Sequence, residues 1–70
     1  MIKEILENIQ EKHPRGAYGV IYELDVCAVS YYKYKSGAVL MPPKKAQRLI
    51  EMALKFGIKI TYNDIYPPLF

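Results

Sequence analysis

Cys27 is the only cysteine in a chain of 70 residues, and that constrains the fold more than any other feature. A domain this small commonly relies on disulfides, a structural metal or a partner subunit. One cysteine closes no internal disulfide, and with one histidine, His13, it cannot supply the four ligands of a structural zinc site. The fold must therefore be held by apolar side chains carried on regular elements, or by association. The composition allows this, with 51% hydrophobic residues against 24% charged.

Two segments read as amphipathic helices. Ile2, Ile5, Leu6 and Ile9 fall at i, i+3, i+4 and i+7 within residues 1–12, and His13-Pro14 stops the run because the residue before proline avoids the helical region. A second helix is expected from Pro43 to Phe56. Proline suits the first helical turn, and Gly57 stands where a left-handed cap belongs. Its apolar side is read as Ala46, Leu49, Ile50, Ala53, Leu54 and Phe56. Lys44, Arg48, Glu51 and Lys55 run along the other side, with Lys45 at the edge.

The rest reads as strand. Tyr18–Tyr34 is rich in β-branched and aromatic residues, and Val20, Tyr22, Leu24, Val26 and Ala28 alternate with Glu23 and Asp25. Ser36-Gly37 suits a two-residue hairpin loop with a return strand over residues 38–41. Ile58, Ile60 and Tyr62 alternate with Lys59 and Thr61 to give a last strand that Asn63-Asp64 ends. The order α-β-(β)-β-α-β predicts one two-layer α+β domain over residues 1–70. A mostly antiparallel sheet of three to four strands would carry both helices on one face. Residues 65–70 form an apolar, proline-containing tail.

Chemistry-bearing patterns are sparse. Cys27 and His13 are the only nucleophile and base to consider, but a cysteine inside an apolar strand behaves as a small hydrophobe, so enzymatic use of Cys27 ranks last and the chain reads as non-enzymatic. Glu23 and Asp25 read as a wet sheet face, or as cross-strand partners for Lys33, Lys35 or Lys59. No metal, cofactor or phosphate-binding loop is implied. With neither a leader nor an apolar run long enough to span a membrane, the expected location is cytoplasmic.

Charge is unevenly spread: residues 1–32 carry net −2 and residues 33–59 net +6. Tyr31, Tyr32, Lys33, Tyr34 and Lys35, joined by Lys44, Lys45, Arg48, Lys55 and Lys59, form the expected binding surface. Tyr66, Leu69 and Phe70 in the tail offer a further contact. Seven tyrosines are many for a small core and suit an interface, so contacts with a protein rank first. That reading covers an adaptor, a regulator or an inhibitor of the kind phages and mobile elements carry, and includes a homodimer. The alternative is RNA or single-stranded DNA held by the lysines and stacked on tyrosines. No helix-turn-helix or similar motif is visible in the sequence, so duplex DNA is set below single strands.

Overall fold

The computed structural model describes residues 2–66, and there the chain is helical, with no strand among the described residues. Five helices follow in order: α1 (Ile2–Lys12), α2 (Gly16–Leu24), α3 (Ala28–Ser36), α4 (Pro43–Lys55) and α5 (Tyr62–Ile65). The α+β expectation is thus overturned. α1 packs against α2, α3 and α5, and α2 packs against α3 and α4. The core they enclose is Leu6 and Ile9 of α1, Val20 and Leu24 of α2, Tyr31 of α3, and Ala46, Leu49, Met52 and Ala53 of α4. Met41, Ile60 and Ile65 close it.

The two expected helices stand close to where their signals put them. Leu6 and Ile9 have no exposed surface. In α4, Pro42 precedes the first turn, and Gly57 at φ +77° ends the helix as the Ile58 N–H reaches the Ala53 carbonyl. One side-chain expectation fails on α4: Leu54 is 54% exposed, and Met52 takes the core position instead.

The expected strand over residues 18–34 is two helices and a turn. Ala17, Val20, Ile21 and Leu24 stand at i, i+3, i+4 and i+7, as good a helical stripe as the alternating set was a strand. α2 is apolar nearly all round, so both periods fit its sequence, and tertiary packing on α1 and α4 selects the helical one. Tyr22, which alternation groups with Val20 and Leu24, is 81% exposed. Asp25 adopts φ 57°, ψ 51°, the left-handed cap that stops α2, and Cys27 returns to an extended conformation to begin α3.

The expected hairpin fails for a related reason. Gly37 does take a positive φ, 83°, but as the cap of α3, with its N–H on the Tyr34 carbonyl and that of Ala38 on the Lys33 carbonyl. Residues 38–42 then run as a loop rather than a return strand. The last expected strand is likewise replaced. Asp64 is the third residue of α5, and its carboxylate accepts the Thr61 N–H at 2.8 Å in a capping box, so Thr61 to Asp64 open a helix instead of closing a strand.

Candidate functional site

α2, the three-residue turn Asp25–Cys27 and α3 form a helix-turn-helix unit. Its inner side is Val20 and Leu24 from α2, half-buried Val26 from the turn, and Tyr31 and Tyr34 from α3. The Val26 N–H bonds the Ile21 carbonyl at 3.3 Å, and the Tyr31 N–H bonds the Cys27 carbonyl at 3.0 Å, so backbone bonds fix both ends of the turn. α4 braces it from outside: Lys45 Nζ donates to the Asp25 carbonyl at 3.0 Å and lies 4.0 Å from the Asp25 carboxylate.

The outer side of α3 is free of the core. Ala28, Val29, Tyr32, Lys33 and Ser36 are all exposed and fall within about 140° of arc at 100° per residue. Its first residues are small, which lets the helix backbone approach a ligand closely. Cys27 caps this helix from the surface: the Ser30 N–H lies 3.4 Å and the Ser30 hydroxyl 3.1 Å from its sulfur. The Ser30 hydroxyl contact, followed by the Ser30 backbone bond, holds the Cys27 thiol below its ordinary pKa. The reading of Cys27 as a buried hydrophobe is corrected accordingly. His13 lies 3.4 Å from the Glu23 carboxylate and against the ring of Phe56, with ring centres 5.6 Å apart.

The expected binding residues separate into three groups. Tyr31 is not at the surface: it is fully buried, its hydroxyl donates to Gln10 Oε1 at 2.6 Å, and burial, followed by the nearby Tyr32 and Glu7, pushes its pKa up to about 12. Tyr34 and Lys35 are half-buried, with Lys35 Nζ 3.9 Å from the Glu7 carboxylate. Lys45 braces the turn. Tyr32, Lys33, Lys44, Arg48, Lys55 and Lys59 are exposed, and only Tyr32 and Lys33 stand on the outer side of α3. Arg48 and Lys55 of α4 share a shallow depression with Glu23 of α2. Of the tail, Tyr66 is half-buried and its hydroxyl donates to the Met41 carbonyl, whereas Leu69 and Phe70 lie outside the described residues.

Glu23 and Asp25 do not face α3 as cross-strand partners. Glu23 meets His13 and Asp25 meets Lys45. Ala28, Val29 and Ser36 belong to the exposed α3 surface and were missed by the sequence reading. The signal that could have found them is the helical stripe 17, 20, 21, 24 followed at once by Asp25 and an apolar residue, then Tyr31 and Tyr34 three apart.

Electrostatics sharpen the arrangement. From Val26 to Ile50 the chain holds Lys33, Lys35, Lys44, Lys45 and Arg48 and not one carboxylate. A polyanion approaching α3 meets no acidic side chain from that helix or from the loop that follows it. Among the described residues, no group of three or more His, Cys, Asp and Glu side chains is placed to hold a metal, and no helix is long and apolar enough to cross a membrane. Comparison with family models, with curated proteins and with solved structures finds no match.

Proposed function

We propose that the chain binds double-stranded DNA by laying α3 in the major groove. The observation that carries this reading is the α2-turn-α3 unit with the outer side of α3 exposed, small at its start and free of carboxylates. A helix presented this way fits the major groove, where base edges differ between all four base pairs. Val29 and Ala28 suit the thymine methyl group, Lys33 suits the acceptors of guanine, and Tyr32 and Ser36 can reach bases or phosphates. Lys44 and Arg48 are exposed on α4 and belong to the net +6 of residues 33–59. The sequence shows no helix-turn-helix motif and so ranks duplex below single strands; the α2-turn-α3 unit supports the opposite order.

The test is fluorescence anisotropy against a random-sequence duplex pool and its single strands over a salt series. Duplex binding should exceed single-strand binding, and affinity should fall steeply as salt rises. Lys33→Ala should weaken the selected duplex by about 1–3 kcal/mol and relax preference at one base pair. Equal affinity for single strands, or none for duplex at low salt, would return the reading to RNA, single strands or a protein partner. The protein-contact reading draws support from a different face, on α2.

A further inference from the structure

Opposite its buried side, α2 carries a face that nothing in the described fold covers. Tyr18 and Tyr22 stand at i and i+4 on α2, within about 40° of arc at 100° per residue, and Arg15 and Asp25 are the caps at its two ends. Tyr18 is 82% and Tyr22 81% exposed, more than any other large hydrophobic side chain in the described residues. All four residues line one open surface depression, so the two ends of the helix and its middle form one continuous patch. Glu23, the one acidic residue within α2, lines the same depression at its edge, beside His13.

The face reads the same in both directions. Arg15 stands five residues before Val20 and Asp25 five after it, while Tyr18 and Tyr22 stand two before and two after. An antiparallel second copy of α2, related by a twofold axis beside Val20, therefore sets Arg15 against Asp25 and Tyr18 against Tyr22, each pair occurring twice. The charged ends are opposite in sign and lie about 15 Å apart along the helix. The Asp25 carboxylate, 82% exposed and 4.0 Å from its nearest cation, is open to a second partner. That carboxylate also sets this face apart from α3: a phosphate backbone would meet it as a like charge, a second copy as an opposite one.

We infer that the chain self-associates through this face, as an isologous dimer of antiparallel α2 helices with Tyr18 and Tyr22 stacked at the centre and Arg15–Asp25 pairs at both ends. The contact is independent of DNA binding by α3. A single helix pair places it among small, reversible interfaces, so the dimer forms with rising concentration rather than permanently.

Sedimentation equilibrium on the whole chain from about 10 µM to about 1 mM tests it, the span in which contacts of this size associate. The mass should climb from one chain toward two. Tyr18→Ser with Tyr22→Ser should hold the protein monomeric with its helical circular dichroism unchanged, because both side chains are exposed. Arg15→Asp should do the same by setting like charges at both ends, and so should Asp25→Lys. Mixing those two variants should restore association as a heterodimer, since each end then pairs Asp with Lys or Arg with Asp. Asp25 holds a positive φ that lysine tolerates poorly; if Asp25→Lys unfolds, the tyrosine pair and Arg15→Asp decide alone. A constant monomer mass across the range overturns the proposal. So does a dimer indifferent to the tyrosine and Arg15 changes, which would place self-association on another surface, and so does failure of the two folded charge variants to pair.

Discussion

Gly19 leaves room for a ring. A Cβ built there would fall inside the His13 imidazole and 2.9 Å from the Arg15 Cβ, so the absence of a side chain lets the α1-α2 corner close. His13 is held in that corner by three contacts: its Nδ1 accepts the Arg15 N–H at 3.1 Å, its Nε2 faces the Glu23 carboxylate at 3.4 Å, and its ring meets the edge of Phe56. With Nδ1 accepting, the neutral ring carries its proton on Nε2, where the carboxylate can take it as a hydrogen bond. Gly19→Ala improves helix propensity by about 1 kcal/mol but must displace the ring, and overpacking of this kind costs about 1–3 kcal/mol. The substitution should therefore lower the urea midpoint in the native background and lower it less in a His13→Ala background, where the Arg15 Cβ contact remains. Equal losses in both backgrounds would mean that the ring is not the obstacle.

At the level of elements, the decisive one is the turn between α2 and α3, where a non-glycine residue holds a left-handed conformation. Asp25 at φ 57° is tolerated because a short polar side chain suits that region, and because the Lys45 ammonium holds its carbonyl from α4. The carboxylate itself is too exposed and too far from Lys45 to contribute more than a weak surface pair. Asp25→Gly should keep the turn, leave α3 in place and raise stability by up to about 1 kcal/mol in thermal melts. A clear loss of stability would show the carboxylate stabilising the turn beyond its backbone cost. Since Asp25 also ends the α2 face, the same variant should weaken self-association, with the sedimentation mass staying nearer one chain.

For the molecule as a whole, Tyr31 is the joint between halves. It lies fully buried where α3 meets α1, its hydroxyl bonded to Gln10 and its ring edge against Tyr32 at 5.3 Å between centres. Its pKa is raised to about 12 in the fold, chiefly by burial, against an ordinary value of 10.0. The folded state therefore keeps a proton that the unfolded chain loses, so this group's contribution is complete below pH 10 and is lost as pH rises through about 12. Tyr31→Phe should cost about 1 kcal/mol near neutrality through the lost hydrogen bond. The gap between native and variant in urea melts should then narrow above pH 10. A gap that stays constant from pH 8 to pH 11 would place the alkaline loss elsewhere, for instance at Tyr66, whose pKa is also raised by burial and by Tyr62.

Features that rest on local chemistry were legible in the sequence. Proline and glycine bracket α4, the spacing of Ile2, Ile5, Leu6 and Ile9 sets α1, and positive φ at Gly37 and Gly57 was legible because few other residues take it without strain. Exposure of Lys33, Lys44, Arg48, Lys55 and Lys59 was legible for the same reason, since an unpaired charge stays in water. For residues 18–34 the choice between helix and strand rested on packing. The α2 half of that stretch is apolar on so many sides that the pattern fits both periods, and the choice falls to which side chains α1 and α4 can cover. Packing there chose Val20, Leu24 and Tyr31 and left Tyr18, Tyr22 and Tyr32 outside, because each covered position must meet a facing element and an open ring need not. The same choice turned a supposed sheet of tyrosines into a helix presented beside a turn.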